Sequence, residues 1–193
     1  VYPAQTDPLS HATMLTNVGL NQYKRGNFRD AIGKYLDANK LIEGLTDSTS
    51  QVIRNKILLN TGNCYSKMGV ADSAFLYLIQ SRKLAEERMD KDGEANALIN
   101  IGNTYQRFDD TKNAILYTQQ ALSAYKESGN AVRILASYSK LAALYDKAGM
   151  TDEAMRAFNE AEKWAAKLKL KKELGVIYHN KGIMMTTQER YQE

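Results

Sequence analysis

Asparagine amides standing beside lysine or arginine are the side chains from which this sequence could build a recognition surface. Each amide offers two donors and an acceptor. Residues spaced i, i+4, i+7, i+11 form five rows: Thr13, Asn17, Leu20, Lys24; Lys56, Asn60, Asn63, Lys67; and Asn96, Asn100, Asn103, Arg107. The last two rows are Ala136, Lys140, Ala143, Lys147 and Val176, Asn180, Ile183, Thr187. At 100° per residue this spacing gathers each row on one face of a helix. Asparagine is a mediocre helix former, and a merely wet face would be served better by Glu or Gln. At about half a kcal/mol each, these asparagines cost roughly 3–4 kcal/mol, comparable with much of a domain's net stability. Such amides can grip a peptide backbone without reading its side chains. A cation closing each of the first four rows would favour an acidic peptide. The alternative is that the amides bridge neighbouring helices and are satisfied within the fold.

Other reactive side chains point to no chemistry. His11 and His179 are far apart and have no cysteine or carboxylate cluster at metal-ligand spacing. The single cysteine, Cys64, excludes an internal disulfide and is expected to be a small packing thiol. No glycine-rich phosphate loop, GxSxG elbow or HExxH pattern occurs. No catalytic residue, metal site or cofactor is therefore expected, and nothing argues for an enzyme. Asp109-Asp110 and Asp152-Glu153 fall where second helices begin and suit the helix dipole. The Lys-rich stretch 163–173 fits a solvated helix end, with an anionic surface contact as the sharper alternative.

Composition narrows the partners. A net charge of +4 is a mild bias toward acidic partners and too weak for a nucleic-acid footprint. No apolar run approaches the roughly 18 residues that a membrane helix needs. The two prolines, Pro3 and Pro8, both precede the first periodic segment, so the proline-free remainder predicts helices throughout. The chain opens on Val1 rather than methionine, as a processed or excised piece would.

The elements that must position the rows are repeats. Aligned segments are NVGLNQYKRGNFRDAI (17–32), NTGNCYSKMGVADSAF (60–75), NIGNTYQRFDDTKNAI (100–115) and KLAALYDKAGMTDEAM (140–155), with NKGIMMTTQERYQE (180–193) as a partial fifth. Ala31, Ala74, Ala114 and Ala154 follow at intervals of 43, 40 and 40. Each unit reads as two helices. The first carries an apolar stripe such as Leu58, Thr61, Tyr65, Met68, or Leu98, Ile101, Tyr105, Phe108. The second carries stripes such as Ala31, Ile32, Tyr35, Ala38, Leu41. A glycine recurs at one register (Gly19, Gly62, Gly102, Gly182), at about 1 kcal/mol each in lost helix propensity, so close approach of a partner helix is expected there.

The unit resembles the tetratricopeptide repeat. In the first unit Gly19, Gly26, Phe28, Ala31, Tyr35 and Ala38 match, with Gln22 where Tyr is expected. The period of about 40 and the absence of a closing proline resemble the long-helix variety found in adaptors and in sensor regions of bacterial signalling proteins. The resemblance implies an all-α, right-handed superhelical solenoid of antiparallel helix pairs. Residues 1–9 are expected as an extended lead-in. Residues 10–193 are expected as one solenoid of units at about 10–50, 51–90, 91–130 and 131–171, with a partial fifth at 172–193.

First helices line the concave groove in such arrays, so the resemblance places the asparagine rows there. Thr16 and Leu20 stand where chaperone-tail binders need Lys and Asn, which argues against that ligand. The implied function is a non-catalytic module binding a protein or peptide, with acidic residues favoured, as the recognition part of a larger signalling protein. The alternatives are a self-associating scaffold, or a regulatory region attached to a kinase or phosphatase domain outside this chain. Neither a nucleic-acid partner nor a membrane segment in this chain is expected, and an extracytoplasmic position is expected over a cytoplasmic one. Segment 175–193 reads as a first helix and its turn, with Tyr191 opening a second helix. Tyr178 and Met185 then lack a partner helix. The expectation is that the native chain continues past Glu193 and that this end self-associates.

Overall fold

Helix boundaries follow from capping chemistry. The computed structural model describes residues 7–192, with side chains to Thr186. The helices are α1 (Pro8–Lys24), α2 (Phe28–Leu41), α3 (Ser48–Lys67), α4 (Ala71–Glu87), α5 (Lys91–Arg107), α6 (Thr111–Ser128), α7 (Ala131–Lys147), α8 (Thr151–Lys167) and α9 (Lys171–Gln192). Asp7 caps α1 by accepting from the Ser10 backbone N–H at 3.1 Å. Asp47 accepts from Thr49 and Ser50, Asp90 from Gly93 and Asp110 from Asn113, all within 3.0 Å. These caps satisfy backbone donors that the first helical turn leaves open.

Two expectations about the ends are corrected. The first helix begins at Pro8, inside the expected lead-in, because proline's fixed φ and missing N–H suit the first helical position. Residues 1–6 lie outside the described residues. At the other end α9 runs on to Gln192, through the place where a turn before Tyr191 was expected. The turns inside the complete units each use a left-handed residue, namely Gly26, Gly69, Asp109 and Gly149. Glu189 occupies that register in the fifth segment, and the helix-favouring run around it gives the chain no reason to stop.

Turns between units use the same device. Gly129 is left-handed, but so are Met89 (φ 54°) and Lys169 (φ 57°), where a Cβ crowds the following carbonyl. Met89 is 88% exposed, so its side chain contributes almost no packing to offset that strain. Met89→Gly is expected to raise unfolding stability by about 0.5 kcal/mol, the strain relieved less the extra entropy of an unfolded glycine. Urea unfolding that shows Met89→Gly to be destabilised would contradict this account.

Successive helices pack pairwise along the chain, and α3 also lies beside both α1 and α5, so these three first helices form one layer. Ala31, Ala74, Ala114 and Ala154 are fully buried where paired helices touch. The glycine register has the expected cause. A Cβ added at Gly19 would lie 2.6 Å from the Tyr35 ring, at Gly62 2.7 Å from Leu78 Cγ, and at Gly102 3.1 Å from Thr118 Oγ1. Aromatics fill gaps both between and within units. Phe75 of α4 meets Tyr105 of α5 at 4.6 Å, and Tyr105 stacks on Tyr117 of α6 at 5.3 Å. In α3 the fully buried line is Ile57, Thr61 and Cys64. Leu58 and Met68 are only half-buried, because α3 has neighbours on both flanks and its buried arc turns toward them.

The core is divided. One apolar cluster joins Ala12, Tyr35, Ile42, Ile57 and Cys64 at the N-terminal end. A larger one joins Leu98, Tyr125, Leu141, Phe158 and Met184 at the C-terminal end. Between them lie buried hydroxyls. Thr104 of α5 bonds Ser66 of α3 at 3.0 Å, and Ser81 of α4 donates to Asn55 of α3.

Candidate functional site

The C-terminal ends of α1, α3 and α5 enclose a cleft of about 540 Å³, lined by Tyr23, Asn63, Ser66, Lys67, Asn100, Asn103, Gln106 and Arg107. Each helix presents it with the same stretch, since the units repeat in register and the first helices lie side by side. The lining contains no carboxylate. Lys67 and Arg107 form no ion pair among the described residues, nor does Asn63 make a side-chain hydrogen bond. Both cations close their helices, where they also complement the negative end of the helix dipole. Burial raises the Tyr23 phenol's pKa and nearby Cys64 adds to this, whereas the Arg107 charge lowers it.

The structure therefore brings five of the sequence-derived candidates together: Asn63, Lys67, Asn100, Asn103 and Arg107. The others lie elsewhere. Asn17 and Lys24 are exposed on α1, and Lys56 and Asn60 sit on earlier turns of α3; none of the four lines the cleft. Asn180 borders a separate, mostly apolar hollow of about 310 Å³ between α7 and α9, with Val132, Leu135, Val176 and Ile177.

Three candidates have structural partners. Asn96 accepts a hydrogen bond from the buried Tyr125 hydroxyl at 2.8 Å, which ties α5 to α6. Lys140 is half-buried, donates to Gln106 Oε1 at 2.6 Å and has its pKa lowered by burial. Lys147 pairs with Asp109 at 2.8 Å, and this contact holds the Asp109 carboxyl below its usual range. At the positions equivalent to Asp109 the first two units have Gly26 and Gly69, so Lys67 and Arg107 have no such partner. Asn100 is intermediate. Its amide donates to the Asn96 carbonyl at 2.7 Å and its oxygen stays turned toward Asn103, 3.5 Å away.

Tyr23, Ser66 and Gln106 line the cleft without having been anticipated. They share one register, each a single residue before its unit's closing cation. Scanning the residue that precedes each cation would have found all three. Cys64 is fully buried beneath this region, and burial pushes its thiol up to about 12, which suits a packing role. The described residues hold no cluster of His, Cys, Asp or Glu able to bind a metal, and no helix long and apolar enough to cross a membrane.

Comparison with known proteins bears on the fold. Residues 54–127 match the sequence profile of the tetratricopeptide repeat family. No curated protein matches the sequence significantly. Among solved structures, aspartyl phosphate phosphatase F from Bacillus subtilis aligns at TM-score 0.87 and 13% identity, over 96% of this chain and 48% of that one. A signal transduction ATPase with a tetratricopeptide repeat sensor, from Pyrococcus horikoshii, aligns at TM-score 0.75 and 14% identity, over 90% of this chain and 27% of that one. A Rap protein complexed with Competence and Sporulation Factor aligns at TM-score 0.58 and 18% identity, over 88% of this chain and 58% of that one. The chain thus spans about half the length of the first of these and little more than half of the last. Its helix pairs, repeat register and family match agree: this is a tetratricopeptide-like, all-α repeat protein.

Proposed function

We propose that the protein is a non-catalytic interaction module that holds an extended acidic protein segment in the α1–α3–α5 cleft. The observation that carries this is the lining itself: two unpaired cations and a set of amides and hydroxyls, with no carboxylate. Amide groups suit a peptide's backbone donors and acceptors, and Lys67 and Arg107 suit its side-chain carboxylates. Fold-level support comes from two of the similar structures, one described as carrying a repeat sensor and the other as complexed with a signalling factor.

The test is fluorescence anisotropy with a labelled Glu/Asp-rich peptide, beside a Lys-rich peptide of equal length. The acidic peptide is expected to bind tighter. Its affinity should fall as salt shortens the screening length below about 8 Å, the value near physiological ionic strength. Lys67→Glu with Arg107→Glu is expected to weaken it at least tenfold with the circular dichroism spectrum unchanged. Equal affinity for both peptides, or indifference to the double reversal, would refute the proposal.

A further inference from the structure

One register of the asparagine rows changes on α7. Asn17, Asn60, Asn100 and Asn180 share it in the other units, and α7 carries Lys140 there. Lys140 is half-buried and forms no ion pair among the described residues, and burial lowers its pKa. An ammonium held so without a counter-ion is costly, and a purely structural contact would be made better by a neutral side chain. Its single hydrogen bond among the described residues reaches back to the preceding unit, where Nζ donates to Gln106 Oε1 at 2.6 Å. That bond decides which end of Gln106 the cleft meets. An ammonium has donors only, so the amide must turn its oxygen toward Lys140. The amide nitrogen, with two donors, has no hydrogen-bond partner among the described residues, and Gln106 lines the cleft together with Lys67 and Arg107. Asn100 is fixed the other way round. Its nitrogen is tied to the Asn96 carbonyl at 2.7 Å, and its oxygen is the end left over.

We infer that Lys140 is a positioning residue for the cleft: it locks Gln106 with its donors forward and so favours a carboxylate over the isosteric amide. The inference rests on the acidic-segment reading of the cleft and adds α7 to recognition without giving it a contact with the ligand. A carboxylate can only accept, whereas a carboxamide both donates and accepts. A Gln106 free to rotate would meet a carboxamide with either end and would often turn its own oxygen toward a carboxylate. Held by Lys140, it meets every ligand with donors alone.

The experiment is a double-mutant cycle read by fluorescence anisotropy with two labelled peptides, one Glu/Asp-rich and the other its Gln/Asn-rich counterpart. Lys140→Met keeps the aliphatic bulk and removes the donor. It is expected to lower affinity for the acidic peptide about fivefold, the worth of one ordinary hydrogen bond, and to leave the amide peptide unaffected. The greater part of that loss is expected to vanish in the Gln106→Met background. Lys140→Arg, which keeps charge and donors, is expected to retain the preference, and circular dichroism checks that each variant is folded. In the unchanged protein the Gln106 side-chain amide protons are expected to shift in NMR spectra as the acidic peptide binds. An equal loss in both backgrounds would show Lys140 acting only as a remote charge and would overturn the inference. So would unmoved Gln106 protons, or an acidic-peptide affinity untouched by Lys140→Met. An unchanged protein that shows no preference for acidic peptide would instead overturn the reading of the cleft, and this inference with it.

Discussion

Gly62→Val is expected to lower the free energy of unfolding by about 3 kcal/mol, the upper end of what overpacking a tight interior costs. The added Cβ would lie 2.7 Å from Leu78 Cγ and 3.2 Å from the Ala74 carbonyl oxygen, so it presses on helix backbone as well as on a side chain. Leu78 is itself fully buried and has no free space to rotate into. Valine's better helix propensity returns only a few tenths of a kcal/mol. The same type of change at Gly182 is expected to have the opposite sign. Gly182→Ala meets no atom and gains up to about 1 kcal/mol of helix propensity. Urea unfolding of both variants checks the pair. A Gly62→Val protein as stable as the parent would show that α3 and α4 can separate without penalty.

The second large effect separates two asparagines that look alike in sequence. Asn96→Ala removes the acceptor for the hydroxyl of the buried Tyr125, which has no other hydrogen-bond partner among the described residues. An orphaned buried hydroxyl costs about 1–3 kcal/mol, so Asn96→Ala is expected to be destabilised by about 2 kcal/mol. Asn63→Ala removes an amide with no bond inside the described protein and is expected to change stability by less than about 0.5 kcal/mol. Adding Tyr125→Phe to Asn96→Ala should recover part of the loss, since no unsatisfied group then remains. Equal stability of the two single variants would mean that the Tyr125 contact contributes nothing net.

These two cases show what was legible beforehand. Gly62 and Ala74 could be recognised because contact between helices forbids larger side chains at those positions, and the prohibition repeats with every unit. The direction in which Asn63 and Asn96 point was legible for the same reason, since helical spacing fixes the face. Their different roles were not. Whether an amide meets water or a tyrosine depends on a residue that approaches from another helix, and Tyr125 lies 29 positions away from Asn96. Lys147 shows the same limit. It matches Lys67 and Arg107 in register, yet one turn residue, Asp109 in place of glycine, supplies it with a counter-ion. Tyr23, Ser66 and Gln106 went unseen because the helical face was drawn one position too narrow at its edge toward the core.

The divided core has a mechanical consequence. In repeat arrays stability is close to a sum of unit and nearest-neighbour terms, so each joint between neighbours contributes on its own. At the boundary between the clusters the Ser66–Thr104 and Ser81–Asn55 bonds stand beside buried Leu78 and Ile101 and the Phe75–Tyr105 ring contact, so polar and apolar groups share the joint. The cleft lies across this boundary, with Lys67 at the end of α3 and Arg107 at the end of α5. Anything that bridges those two cations becomes a strut between the ends of α3 and α5, reinforcing from outside the joint that the Ser66–Thr104 bond makes within.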